Sequence, residues 1–319
     1  MAYYNGKKVM AVVDYKPAIL IEKEITKGGE YNASDDNADG YSKVIVGAVK
    51  PEGNPLQDII DNKGGDGQPS CYYLFNYYYG TSLDSSLSAI DISNVRNMSY
   101  MFSTCVYLAS IPQLNSLNAT NMSYMFNNCY KLTNISGLYT SNVTNMTYMF
   151  SGCSSLTSIP QLDTSKVTNM SNMFYRCEKL TSIPQLDTSK VTDMSYMFGR
   201  CSSLTSIPEL NTLNVTNIAY MFGGCSSLTS IPQLDTSKAG NAYGIFNNCT
   251  NLTSIGIYGF TCSIDISKTA LEHDAIVAFL NQAGTAYNSS QKITMGSAKL
   301  ALLSDEEKAI ATNKGWTLA

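Results

Sequence analysis

Leu186-Asp-Thr-Ser-Lys-Val-Thr-Asp-Met-Ser-Tyr-Met-Phe198, followed closely by Cys201-Ser-Ser-Leu-Thr-Ser-Ile207, is one pass of a pattern that the chain repeats seven times at a fixed 24-residue period. The phenylalanines fall at Phe102, Phe126, Phe150, Phe174, Phe198, Phe222 and Phe246, and cysteines follow three residues later at Cys105, Cys129, Cys153, Cys177, Cys201, Cys225 and Cys249. A period kept without one insertion makes each unit a coil of a stack, because every coil must lay its apolar side chains over those of the last. The expected fold is a solenoid.

In the fourth coil the recurring apolar positions are Leu156, Ile159, Leu162, Val167, Met170, Met173, Phe174 and Cys177. Burying the larger ones is worth about 1.5–3 kcal/mol each, which offsets the ordering entropy only when neighbours cover both faces of the coil. Met170, Met173, Phe174 and Cys177 are spaced i, i+3, i+4, i+7, which predicts a short helical turn. Leu156-Thr-Ser-Ile159, ended by Pro160, predicts one rung of a parallel sheet. Asp163-Thr-Ser, repeated at Asp187 and Asp235, supplies side-chain acceptors where the coil turns a corner. A calcium ladder there is disfavoured, because the third coil has Gly137-Leu138-Tyr139 and the sixth has Asn211 at that place.

The chain has 319 residues and a net charge of -4, with only 14% charged residues. That balance excludes a nucleic-acid binder built on a basic surface and leaves Ser, Thr, Asn and Tyr to cover the coils. No stretch approaches the roughly 18 apolar residues of a membrane helix, so no membrane insertion is expected. Lys7 and Lys8 precede only Val9 to Val13, too short an apolar run for a secretion signal. Seven of the nine cysteines form one repeat column, with Cys71 and Cys262 outside it. They read as buried thiols rather than disulfides or zinc ligands, since an odd column with parallel side chains cannot pair off and Cys-x-x-Cys spacing is missing. No metal or cofactor is expected.

These residues resemble the BspA-like leucine-rich repeats, in the variant whose units read close to LDTSNVTNMSYMFSGCSSLTSI. The resemblance covers roughly residues 90–262. It implies 24-residue repeats forming a leucine-rich-repeat solenoid of parallel β-sheet and short helical turns, used for adhesion and recognition on bacterial surface proteins and on prophage-encoded virion proteins. The segment from Ile25 through Tyr31 and Tyr41 to Val46 resembles a short module of phage tail and other structural proteins. Leu303-Ser-Asp-Glu-Glu-Lys-Ala-Ile-Ala-Thr-Asn-Lys-Gly-Trp316 resembles the segment that follows such repeats in the same proteins. The resemblance implies a phage virion protein of tail-fibre or surface-fibre type, made in the host cytoplasm and carried on the virion. It would attach to other virion proteins through its amino terminus, form a homo-oligomer, and contact a host cell-surface glycan or protein. Two alternatives stand: a bacterial cell-surface adhesin, and a structural decoration of a viral particle without a receptor.

The expected organisation is a small β module over 1–50, with strands at Val9 to Val13 and Val44 to Val46, and an amino-terminal cap over 51–92. The seven coils occupy 93–262, and an α+β carboxy-terminal cap or docking segment occupies 263–319. Cys71-Tyr-Tyr-Leu-Phe-Asn-Tyr-Tyr-Tyr79 has the aromatic mass to cover the first coil; a sugar-stacking platform is the alternative. Leu271, Ala275 and Phe279 predict a helix ending near Gly284. Ser304-Asp-Glu-Glu307 is a capping box opening a second helix closed by Gly315. Lys292 to Met295 is expected to pair with Trp316 to Leu318.

Catalysis is not expected. The sole histidine, His273, sits in a predicted helix between Glu272 and Asp274, with no nucleophile motif beside it, and the glycines at Gly28-Gly29 and Gly64-Gly65-Asp66-Gly67 read as turns. Binding has two candidate surfaces. Outward positions around Phe-x-x-Cys-x-x-Leu vary between coils and place Tyr107, Tyr130, Lys131, Tyr175, Arg176, Lys179 and Arg200 on one edge, with neutral variation of a solvent face as the alternative. Tyr100, Tyr124, Tyr148, Tyr196 and Tyr220 form a ladder interrupted by Asn172, serving either a glycan or the packing of that edge.

Overall fold

The computed structural model describes residues 2–4, 7–9, 60, 69–72, 74–78, 80–83, 91–135 and 137–319. Strands β1 (Ala2–Tyr4) and β2 (Lys7–Val9) form an antiparallel pair with Ala2 opposite Val9. The remaining part of the expected Val9–Val13 strand, Val44 to Val46, the segments resembling phage modules before residue 60, both glycine runs, Tyr73 and Tyr79 lie outside the described residues.

From Ser70 onward the units stack in register. Parallel bridges join Asn97, Asn121, Asn145, Asn169, Asp193, Asn217 and Asn241 in one continuous column. Beside that column the backbone alternates. In the fourth coil the amides of Met170, Asn172, Phe174 and Arg176 donate to Asp193, Ser195, Met197 and Gly199 of the next coil at 2.8–3.1 Å. The intervening amides of Met173, Tyr175 and Cys177 donate three residues back within their own coil. Every second peptide therefore points along the stack, and every other one closes a β-turn.

This alternation replaces the expected helical turn. The i, i+3, i+4, i+7 spacing of Met170, Met173, Phe174 and Cys177 is satisfied by consecutive β-turns, and no α-helix forms among the described residues of the coils. A helix would turn all its amides back on itself, leaving none for the neighbouring coil. Two residues per coil take the left-handed conformation that such turns need at their third position: the column Tyr100, Tyr124, Tyr148, Asn172, Tyr196, Tyr220, Gly244, and the column Thr104, Asn128, Gly152, Arg176, Arg200, Gly224, Asn248.

The expected parallel sheet is also more local than the pattern predicts. Leu-x-x-Ile segments become strands only at the end of the stack, where β3 (Ser230–Asp235) pairs in parallel with β4 (Ser254–Tyr258). Pro232 lies inside β3 rather than ending it, and the register shifts between Ile231 and Leu234 to accommodate it. In earlier coils the proline, lacking an N–H, leaves Ser110–Asn134 as an isolated bridge. The corner aspartates do what their chemistry suggests: the amides of Ser165, Ser189 and Ser237 donate to Asp163, Asp187 and Asp235 at 2.9–3.1 Å.

The core is a set of columns. Phe75 and the seven repeat phenylalanines stack with ring centroids 5.4–6.4 Å apart and nearly parallel planes. All nine cysteines are buried thiols. Each column thiol donates to the phenylalanine carbonyl of the preceding coil, as in Cys153 Sγ to Phe126 O at 3.1 Å and Cys177 Sγ to Phe150 O at 3.1 Å. Cysteine fits because it packs as a small apolar side chain and still offers a weak donor.

The ladder starts before the sequence period does. Cys71, Phe75 and Tyr77 donate to Asn97, Met101 and Ser103, so residues 70–78 form an irregular further coil offset by 27 residues. There Tyr78 occupies the cysteine position, and its hydroxyl donates to Ser82 O at 2.8 Å. At the other end the chain makes β5 (Ile264–Asp265), α1 (His273–Gln282), β6 (Lys292–Thr294), α2 (Gly296–Leu300), α3 (Asp305–Thr312) and β7 (Thr317–Leu318), with a parallel sheet ordered β5-β6-β7. Ser304 and Glu307 form the capping box of α3. Phe260 stacks on Phe279 of α1 at 4.9 Å and leans on Trp316 at 5.4 Å. Lys314 Nζ donates to the carbonyls of Asn281 and Ala283 at 2.9 and 2.8 Å, placing a cation at the carbonyl end of α1. His273 bridges α1 to α3, with Nδ1 2.7 Å from Asp274 and Nε2 3.0 Å from Glu307.

Phe174→Ala removes a fully buried ring from the middle of its column and is expected to lower unfolding free energy by about 3–5 kcal/mol in urea denaturation. Burial pushes the Cys201 and Cys249 thiols up to about 12 and Cys177 and Cys225 well above the ordinary value. Ellman's reagent at about pH 8 should therefore find no reactive column thiol in the native protein and all nine cysteines after denaturation. The carboxylates of Asp274 and then Glu307 raise the His273 pKa. Its contribution is thus fully present below about pH 6.5 and lost as pH rises through the higher folded value. The melting temperatures of wild type and His273→Gln should differ in mild acid and converge in mild alkali.

Candidate recognition surface

The tyrosine column is half-buried, and its backbone is the left-handed turn position of each coil. Holding a non-glycine residue there costs about 1–2 kcal/mol; the inter-coil amide bond and ring contacts offset it. Tyr100, Tyr124 and Tyr148 stack at 4.4 and 4.5 Å, and Tyr196 and Tyr220 at 4.7 Å. Tyr72 extends this column edge-on at one end and Tyr243 at the other, at 5.9 and 5.3 Å. Burial, then the neighbouring phenols of Tyr100 and Tyr148, push Tyr124 up to about 12, and burial likewise raises Tyr100 and Tyr148. The column therefore offers neutral hydroxyls and ring edges.

Asn172 interrupts the column, and Tyr175 fills the gap: its ring meets Tyr196 edge-on at 5.8 Å and lies over Gly199, where a Cβ would come within 3.0 Å of it. The Arg200 guanidinium stands 5.9 Å from the centroid of the same ring, within the range of a cation–π contact. Tyr175 and Arg200 therefore join the two sequence-predicted surfaces at the fourth and fifth coils.

Tyr107, Tyr130, Lys131, Arg176 and Lys179 are all exposed on the turn after the phenylalanine. Tyr107, Lys131 and Lys179 occupy one repeat position in coils one, two and four. Arg176 and Arg200 sit on adjacent coils in the second left-handed column, at φ 61° and 62°. Gly152 and Gly224 take that conformation freely, and Asn128 and Asn248 at small cost. Gly224 shows the closeness of the column: a Cβ there would lie 3.2 Å from Arg200 Cα. Two arginines at a position suited to glycine hold an exposed positive pair beside Tyr175, with Glu178 as the nearby opposite charge in sequence.

Sequence reasoning placed Tyr72 in the cap, with a sugar-stacking platform as the alternative, but did not join it to this column, and it missed Tyr243, which stands one residue before the column position held by Gly244. It also missed the left-handed columns, although Gly152 and Gly224 at equivalent places, with Asn128 and Asn248, carry that signal.

A family profile described as "Mycoplasma protein of unknown function, DUF285" matches residues 71–161 and 155–257. No curated protein gives a significant match. Among solved structures, the leucine-rich repeat protein of T. pallidum (TpLRR) aligns at 14% identity over 80% of this chain and 92% of its own, with a TM-score of 0.31. A leucine-rich repeat protein from Bacteroides ovatus ATCC 8483 aligns at 15% identity over 78% and 86%, with a TM-score of 0.25. The two profile matches together cover the stacked coils and more than half of the chain, which therefore belongs to the family of Mycoplasma proteins of unknown function, DUF285.

Proposed function

We propose that the chain is a leucine-rich-repeat solenoid whose function is recognition of a cell-surface ligand, through the edge on which Tyr175, Arg176 and Arg200 meet the tyrosine column. The observation that carries this reading is the strained arginine pair. Arg176 and Arg200 hold left-handed backbone at a place where glycine or asparagine serves in four of the other coils and threonine in the first, and such strain collects where a side chain is needed for something other than folding. Flat rings flanked by guanidinium groups suit a ligand with sugar-like faces and anionic oxygens, so a host cell-surface glycan is the preferred ligand class.

The segments flanking the repeats support a setting on a phage particle, of tail-fibre or surface-fibre type, with the amino-terminal module joined to other virion proteins and the protein acting as a homo-oligomer. The same edge would serve a bacterial adhesin equally well. Immunogold labelling of particles from the source lysate separates the two: label on tails, head fibres or capsids supports the virion setting, and label confined to bacterial envelopes replaces it with the adhesin.

Arg176→Gly/Arg200→Gly should leave unfolding free energy within about 1 kcal/mol of wild type, because relief of strain opposes the greater freedom of the unfolded chain. The same variant should bind host-cell glycans at least about tenfold more weakly on an array, a loss of about 1.4 kcal/mol. Unchanged binding would exclude this edge.

A further inference from the structure

The amide ladder ends without an acceptor. In the sixth coil Tyr220, Phe222 and Gly224 donate to Tyr243, Ile245 and Asn247 of the seventh at 2.9, 3.2 and 2.6 Å. The equivalent amides of the seventh coil, Gly244, Phe246 and Asn248, meet no protein acceptor among the described residues. Asp265 stands 24 residues after Asn241 and keeps the local turn, accepting from Ser267 N at 2.7 Å. From there the chain is diverted: the Ile266 amide donates to Thr294 O at 2.7 Å, and β5 pairs with β6 instead of closing an eighth regular coil.

The diversion opens a cleft of about 350 Å³ between Tyr220, Tyr243 and Gly244 on one wall and Asp265, Lys268 and Lys292 on the other, a volume within the range of ligand sites. Lys268 and Lys292 are exposed, and Tyr243 is 69% exposed. The cleft is rich in donors: the unpartnered amides belong to Gly244 and Phe246, which line it, and two ammonium groups face one carboxylate already engaged by Ser267.

We propose that this cleft is a docking site for an acidic peptide, which takes the place of the missing coil. Two features select that occupant. Amides that in the other coils donate to every second carbonyl of a turn-forming main chain call for the carbonyls of another peptide following the same succession of turns, supplied from outside the chain. The lysines on the facing wall complement acidic side chains. The cleft shares Tyr220 and Tyr243 with the tyrosine column but includes none of Tyr175, Arg176 and Arg200, and it does not rest on the role proposed for them.

The test is fluorescence anisotropy with fluorescein-labelled hexaglutamate, using hexalysine and hexagalacturonate as unlabelled competitors, together with residue-resolved hydrogen exchange. Hexaglutamate should bind, slow exchange at Gly244 and Phe246 by about tenfold or more, and be displaced by neither competitor. Lys268→Glu/Lys292→Glu, a change of two exposed side chains checked by its melting curve, should weaken binding by at least about tenfold, whereas Arg176→Gly/Arg200→Gly should leave it unchanged. Any of four results overturns the proposal: no binding up to about 1 mM, binding without slowed exchange at those amides, undiminished binding by the lysine double variant, or displacement by hexagalacturonate, which would make the site one for carboxylated sugars.

Discussion

The structure depends on one constraint: on the phenylalanine edge, alternate backbone amides must point along the stack. Four donors per interface leave each coil for the next, and buried peptide groups tolerate no omission. A regular helix cannot meet that demand, and a strand would extend the coil too far to close within 24 residues. Successive tight turns meet it, and they force two residues per coil into left-handed backbone. The phenylalanine carbonyl then accepts twice, from the cysteine amide of its own coil and from the cysteine thiol of the next. This explains the fixed three-residue interval between ring and sulfur.

Side chains on the surface inherit their positions from that backbone. Tyrosines rise from one left-handed column and stack because coil spacing sets their rings 4.4–4.7 Å apart. Asn172 breaks the column at the same coil in which Tyr175 and Arg176 replace small residues, and Arg200 follows one coil later. The packing core is uniform through this region, so the change in surface chemistry leaves the stack undisturbed. A repeat array can in this way carry a local recognition surface on a constant interior.

Termination of the stack follows the same logic. At the start, Phe75 and Tyr78 enter the phenylalanine and cysteine columns, so the first regular coil rests on an irregular one. At the finish, Phe260, Phe279 and Trp316 cover the apolar end, while the polar ladder beside them is left to one side of the sheet β5-β6-β7. Apolar coverage and hydrogen-bond closure are separate requirements, and the carboxy-terminal segment meets the first more fully than the second.

Much of this was legible in the sequence. A strict period fixes the stacking of the Phe, Met, Leu and Cys columns, because burial of a repeated apolar residue is possible only over its own equivalent. Ser304 and Glu307 declare the start of α3, and the corner aspartates declare their turns, through hydrogen bonds that span two or three residues. The helix expected from Met170 to Cys177 was a misreading with a physical source: apolar spacing reports which residues face inward, and consecutive turns can produce the same spacing as a helix. Only the tertiary structure decided where each amide went, since the acceptor lies 23 residues away in the next coil. It likewise decided that Tyr175 fills the gap at Asn172, that Arg200 reaches its ring, and that the ladder ends open at Gly244. Each of these depends on which coil lies alongside, which is a property of the stack and of no single segment.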